Sequence, residues 1–322
     1  MAVMNTTTLP PHQDLAHGIT CIDTLQERPG LACCYLIQRD DDYAFVEAGT
    51  AHGVPRLLAL LAARGIARDQ VRYVIPTHVH LDHAGGVGVL MRELPAARLI
   101  AHPRGARHLI DPSKLIAGAS AVYGTSAVQA MYGEIAPVPE ARVIVADDGH
   151  RETLGGTELQ FIDTPGHARH HFSIWDAQSR GFFTGDTFGL SYREFDTANG
   201  PFLFPTTTPV QFEPDAWLAT LDRYLSFAPQ RMYLTHYGVV ENVPQLAADL
   251  RAGLERYRGL AEPLKAVAQR HERLREALMQ DALAALKAQR NPMLEARARE
   301  LLAFDMELNA QGLGVWLDRP AA

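Results

Sequence analysis

Cysteine is scarce in this chain, with three among 322 residues. So small and odd a number excludes a disulfide framework and suits a reducing compartment. Cys33 and Cys34 fall in the strand-like run Leu31 to Ile37, and with Cys21 they are expected to be small core residues. Long apolar runs are missing too. Nothing approaches the roughly 18 to 20 apolar residues that span a bilayer, and Met1 to Gln13 holds no basic segment leading into an apolar one. The expectation is a cytoplasmic protein with no membrane partner. Excess positive charge is the third absence: 30 Lys and Arg stand against 37 Asp and Glu, for a net charge of -7 and a pI near 6.0. That balance argues against a nucleic-acid partner gripped by its phosphates. What the chain does have is 47% hydrophobic residues, enough to fill one large domain with an appendage, or two domains.

Its densest chemistry lies at Thr77 to Gly86, Thr-His-Val-His-Leu-Asp-His-Ala-Gly-Gly. Three histidines and an aspartate fall within six positions after an apolar run, and imidazole with carboxylate is the ligand pair that zinc and its neighbours prefer in hydrolytic sites. His78 and His80, two apart on extended backbone, point the same way and can share one metal. Asp82 and His83 lie where the chain turns and can reach a second. Gly85 and Gly86 suit a sharp bend into the next helix.

Around that stretch the pattern alternates. Gly18 to Asp23, Ala32 to Gln38 and Tyr43 to Glu47 read as an opening β-meander. Val54 to Arg64 has helical spacing with Gly65 as its stop, and Val71 to Ile75 is the strand that delivers the histidines. Helix Gly88 to Glu93 and strand Arg98 to Ala101 continue an α/β layer. Asp111 to Pro139 reads as an inserted helical lid carrying Tyr123 and Tyr132. A second strand series follows at Val143 to Val145, Thr157 to Ile162, Ser173 to Trp175 and Gly181 to Thr184. Further ligand types come after apolar runs: His167 in Thr164-Pro165-Gly166-His167, Asp186 in Gly185-Asp186-Thr187, and His236 in Thr235-His236-Tyr237-Gly238. Five imidazoles and two carboxylates can hold two divalent ions with an open position for water.

The His-x-His-x-Asp-His run at 78 to 83, followed in order by these three elements, resembles the metallo-β-lactamase superfamily over about residues 18 to 240. The resemblance implies an α/β fold, the four-layer αβ/βα sandwich, with a dinuclear site at the edge of its inner sheets. By it, His78, His80 and His167 would hold one metal and Asp82, His83 and His236 the other, with Asp186 bridging. Zinc is the first expectation for the two divalent ions, with iron and manganese as alternatives. Metal-bound hydroxide would attack a carbonyl, and Asp82 would relay the proton to the leaving group. Glu47 stands where the superfamily has the Asp of an Asp-x-Gly element that supports the ligands from behind, and His171 is read in the same supporting role. His170 departs from the family's usual Gly-His and is read as a polar strand-entry residue. His102, His108 and His150 are read as surface or locally bonded.

The superfamily spans thioesterases, lactonases, β-lactamases, nucleases, phosphodiesterases and iron oxidoreductases, so ligands alone name no substrate. An exported β-lactamase, an RNA-processing nuclease and a flavodiiron reductase would each need a segment not recognised here. Phe188, Tyr192, Phe195, Phe202, Leu203 and Phe204 follow Asp186 and, with Tyr237, are expected to wall a pocket for a small-molecule substrate with an apolar part. The reading is therefore a dinuclear hydrolase of an ester, thioester or lactone. The alternatives are an iron-dependent oxidoreductase or a signal-binding regulatory member of the fold, and then a phosphodiesterase. Gly189 stands where quorum-quenching lactonases place a tyrosine, which lowers that branch. The catalytic domain is expected over 1–243 and a helical appendage over 244–322, with breaks at Pro263 and Asn291-Pro292. Arg251, Arg256 and Arg258 near its start form no recognisable glutathione pattern. Its apolar end, Asn309 to Leu317, should dock over the active site or against a second subunit, which admits a homodimer.

Overall fold

The computed structural model describes residues 9–320, without the side chains of Val122 and Tyr123. Residues 1–8, where part of the leader reading falls, and the Tyr123 ring lie outside it. The chain divides into two compact units: one formed by 1–163 with 170–185, the other by 164–169 with 186–322. The expected boundary after 243 does not coincide with this division. The units part instead at the two loops that carry His167 and Asp186.

In the first unit, seven strands lie side by side in chain order: β1 His12–Leu15, β2 Ile19–Asp23, β3 Cys33–Arg39, β4 Asp42–Val46, β5 Val71–Ile75, β6 Arg98–Ala101 and β7 Val143–Val145. The first four pair antiparallel and the last four parallel, with Val46 opposite Ile75. The opening meander is present, with a strand more than expected. β1 escaped notice because His-Gln-Asp-Leu is exposed and has no apolar alternation. Parallel pairing needs crossovers, and α1 Val54–Ala63 supplies the first. Its Leu57, Leu60 and Leu61 bury against Phe45 and Val74, each side chain worth about 2 kcal/mol. Gly65, at φ +68, ends it.

Short α2 Leu81–Ala84 and then α3 Val87–Glu93 lead to β6. Beyond β6 come α4 Pro103–Ile110, α5 Ser113–Tyr123 and α6 Thr125–Tyr132. The helical insert is thus real, and it also serves as the crossover into β7. Val143 to Val145 consequently belongs to the first sheet, parallel to β6, and not to the second series as expected. β8 Arg151–Leu154, β9 Thr157–Asp163, β10 Phe172–Asp176 and β11 Gly181–Gly185 form the unit's second, antiparallel array. Polar β8 was also missed.

The two arrays of the first unit meet through Tyr35 and Phe183, edge-on with centroids 5.3 Å apart. They also meet through a buried ion pair, Arg39 Nη2 to Asp176 Oδ2 at 2.7 Å. Cys21, Cys33 and Cys34 are buried in β2 and β3, as small core residues should be.

The second unit holds α7 Pro214–Ser226, the hairpin of β12 Arg231–Leu234 and β13 Gly238–Glu241, and helices α8 Val243–Ala261, α9 Arg270–Ala288 and α10 Glu295–Leu317. α9 packs chiefly on α10, and α8 on α7. The apolar C-terminal stretch is the second half of α10. It docks within its own unit, where a Cβ on Gly312 would fall 1.3 Å from the Thr207 carbonyl oxygen. Among the described residues no helix is long and apolar enough to cross a membrane.

Candidate metal centre

The first unit builds its share of ligands by fastening the end of β4 to the chain after β5. The Glu47 N–H donates to Ile75 O at 3.0 Å, Ala48 N–H to His83 O at 2.9 Å, and Gly86 N–H to Gly49 O at 2.8 Å. His80 is the N-terminal cap residue of α2, so Asp82 and His83 sit on a single helical turn and not on an open bend. The two glycines correct a second expectation. Gly85 and Gly86 have φ of -60° and -83°, values open to any residue. What Gly86 needs is space, since a Cβ there would lie 2.8 Å from the carbonyl oxygens of both Ala48 and Thr50.

Hydrogen bonding assigns the imidazole tautomers. Glu47 is buried, and a carboxylate only accepts. Its Oε1 takes the Thr77 hydroxyl at 2.6 Å and His83 Nδ1–H at 3.0 Å, while Oε2 takes the Thr77 N–H at 3.1 Å. With its own proton committed to Glu47, the Thr77 hydroxyl accepts from His78 Nδ1–H at 3.1 Å. Neutral His78 and His83 therefore carry their lone pairs on Nε2. His78 Nε2 faces His80 Nδ1 at 2.8 Å, and His83 Nε2 lies 3.6 Å from Asp82 Oδ2. His78 offers a ligand atom within 4.8 Å of one on His80 and of one on His83. Asp82 and His80 are half-buried, whereas His78 and His83 are buried.

His171 is buried with its ring centroid 4.9 Å from that of His78. A Cβ on Gly185 would strike His171 Nε2 and Thr77 Oγ1, each at 2.4 Å, so the glycine makes room for this ring. His170, read as a strand-entry residue, instead joins the cluster, with ring centroids 6.1 Å from His78 and 5.5 Å from His80. A histidine pair where one was expected was its only signal.

In the second unit, Asp186 stands between two histidines. Its Oδ2 lies 3.3 Å from His167 Nε2 and its Oδ1 3.7 Å from His236 Nε2. His167 Nδ1 is 2.9 Å from Thr206 O, and a carbonyl only accepts, so Nδ1 bears the hydrogen and Nε2 the lone pair. Lone pair and carboxylate at that distance need a proton or a cation between them. Two donors about 2.0–2.1 Å from one tetrahedral ion stand roughly 3.3 Å apart, so the pair fits a shared metal. Gly166, at φ +137, carries the loop past Trp217, whose Cβ would lie 2.4 Å from any added Cβ. No other residue fits there. In each unit, then, the donors are nitrogen and oxygen, and they suit a divalent ion.

The expected aromatic wall is packed on itself. Phe188, Tyr192, Phe202 and Phe204 are buried, Phe202 stacks on Phe204 at 5.5 Å, and Tyr192 Oη donates to Asp305 Oδ1 at 2.9 Å. Of the seven residues expected to wall the pocket, Tyr237 alone keeps a partly exposed side chain. Arg251, Arg256 and Arg258 are paired with Asp222, Asp281 and Asp215. His150 bonds Glu152 two positions on at 3.0 Å, whereas His102 is buried and bonds Asp163, 61 positions away, at 2.9 Å, so the local reading holds for His150 only. Burial and the charge of Arg107 lower the His108 pKa.

Histidine and aspartate donors presented from strand ends of an α/β chain are candidate ligands for a divalent metal ion. The sequence pattern described as the metallo-beta-lactamase superfamily matches residues 28–236, and the chain belongs to that family. Its fold is the family's α/β sandwich with a C-terminal helical region. It is 27% identical over 218 residues to a metallo-beta-lactamase fold-containing protein of Sulfurisphaera tokodaii, covering 66% of this chain and 76% of that one. It is 28% identical over 190 residues to the atrochrysone carboxyl ACP thioesterase of Aspergillus fumigatus, covering 59% of this chain and 45% of that one. The crystal structure of an archaeal metallo-beta-lactamase superfamily protein from Sulfolobus tokodaii superposes with a TM-score of 0.64 at 23% identity, covering 93% of this chain and 99% of that one. Relatives carry hydrolase, thioesterase and flavoprotein names.

Proposed function

We propose that this chain is a metal-dependent hydrolase of a carboxylic ester, thioester or lactone, acting in the cytoplasm on a small molecule with an apolar part. In this reading His78, His80 and His167 hold one divalent ion, Asp82, His83 and His236 the other, and Asp186 lies between them. Ions bound there supply an activated water and a Lewis acid for the carbonyl. The remaining work falls to the protein. Glu47 and the Thr206 carbonyl fix the imidazoles so that Nε2 is the ligand atom. Asp82, half-buried on α2, is placed to hold a proton at Oδ2 and pass it to the leaving group. Tyr237 sits beside His236 with part of its ring exposed and is the residue assigned to meet the substrate.

The observation that carries the reading is the Asp186 carboxylate with one oxygen toward His167 and the other toward His236. The relative named as a thioesterase favours the acyl substrate class. Elemental analysis of protein purified without added metal, alongside a panel of thioester, lactone, aryl ester and phosphodiester substrates, tests it. Two zinc or manganese ions per chain with acyl cleavage are expected. Iron with oxygen consumption and no hydrolysis would replace the reading by an oxidoreductase, and cleavage of the phosphodiester alone would move it to that class.

A further inference from the structure

We propose that Asn309, on the C-terminal helix α10, is a positioning residue for His167, an inference that rests on the reading of His167 as a metal ligand. Asn309 is 1% exposed in the middle of a long helix, where asparagine is a poor helix former and a buried amide must find partners. Besides the buried Tyr257 hydroxyl, its partners lie in one short segment. Asn309 Oδ1 accepts the Thr207 N–H at 2.6 Å, Nδ2 donates to Pro205 O at 3.1 Å, and the Asn309 carbonyl accepts the Thr207 hydroxyl at 2.9 Å. These bonds hold the backbone on both sides of Thr206. Gly312, one turn on, lets α10 lie against the same segment, because any Cβ there would overlap the Thr207 carbonyl.

The group so held is the Thr206 carbonyl, which accepts His167 Nδ1–H at 2.9 Å. Its direction sets both the ring plane and the tautomer, and with them the aim of Nε2 at Asp186. A side chain more than a hundred positions downstream thereby orients the imidazole through one peptide group. If α10 served only to bury apolar surface, an apolar residue at 309 would pack as well, and neither amide bond would be needed.

Long-range nitrogen–proton spectra of the imidazoles at pH 8, in metal-free protein, read the tautomer directly. The spectra of Asn309→Leu and Asn309→Ala would be compared with those of Leu286→Ala, which empties a buried position on α9. Asn309→Ala, with room for water, is the variant expected to fold even where Asn309→Leu does not. Wild type and Leu286→Ala should show His167 as a single Nδ1–H form, while the Asn309 variants should show a mixture and a zinc affinity lowered about 10- to 100-fold in chelator competition. A single Nδ1–H form and unchanged zinc affinity in Asn309→Ala would overturn the proposal. Because the spectra need no metal, a tautomer shift in protein whose wild type takes up no zinc would refute the ligand reading while upholding the role of Asn309.

Discussion

Replacing Glu47 by glutamine keeps the shape of the side chain and removes one acceptor, which isolates what the carboxylate does. Three hydrogens converge on it: the Thr77 hydroxyl and His83 Nδ1–H on Oε1, and the Thr77 N–H on Oε2. A glutamine amide can keep the first two only by turning its NH2 toward the Thr77 N–H, so that two donors face each other. The flipped amide fares worse, because it confronts the hydroxyl and the imidazole together. The cheaper orientation leaves a buried donor unmet, at about 1–3 kcal/mol, and weakens two bonds to a charged acceptor by about 1 kcal/mol more. A loss of about 2–4 kcal/mol is expected, which for a chain of 322 residues lowers Tm by roughly 3–6 °C. Calorimetry on metal-free Glu47→Gln protein measures it, and imidazole spectra should show His83 keeping its Nδ1–H form, because the amide oxygen still accepts there. The opposing effect is that the amide spares the desolvation of a buried charge. An unchanged or raised Tm would mean that desolvation outweighs three donors, and the account of Glu47 as the anchor of His78 and His83 would fall.

Asp186→Asn should leave metal-free protein as stable as wild type or more so, since the new amide can donate to the His167 lone pair, while metal-dependent hydrolysis disappears; retained hydrolysis in a variant assayed beside its own Tm would sink the mechanism. Asp176→Leu should cost about 3–5 kcal/mol in urea unfolding by stranding buried Arg39, and the double variant with Arg39→Met should recover most of it; absence of that recovery would refute a pairwise account. Tyr73, raised to about 12 by burial and by Glu152, remains neutral in the folded chain after an unfolded tyrosine ionises near 10. Its contribution to stability is thus fully present below about pH 10 and lost as the pH rises through 12. The ultraviolet titration difference between wild type and Tyr73→Phe should have its midpoint near 12, and a midpoint at 10 would contradict the burial.

Strands β5 and β6 were legible to the residue because apolar runs bounded by turn signals leave little choice of state. The ligand motif was legible because so many donor types in six positions have no cheaper explanation. Strands β1 and β8 were not, since edge strands of polar composition are held by backbone pairing, which leaves no pattern in the side chains. The glycines after the motif were seen, but the reason for Gly86 was misread: steric contact with Ala48 and Thr50 belongs to the folded state and cannot be read from neighbours in sequence. The same holds for the aromatics after Asp186. Their spacing admits a pocket wall or a local core, and only packing distinguishes the two.

The tautomers bear on what the histidines are for. A histidine kept only for structure is best served by bonding both ring nitrogens, one as donor and one as acceptor, to groups that supply what each lacks. Here the partners of Nδ1 are of another kind: a carboxylate at His83, a carbonyl at His167, and at His78 a hydroxyl whose hydrogen is already given to that carboxylate. Each accepts, and each pushes the lone pair to Nε2. Glu47, at the end of β4, settles two of these rings, directly and through Thr77, and the segment held by α10 settles the third. Elements far apart in the chain thus impose one state on three imidazoles, and that state, a basic Nε2 turned toward other donors, is the one that binds a metal ion.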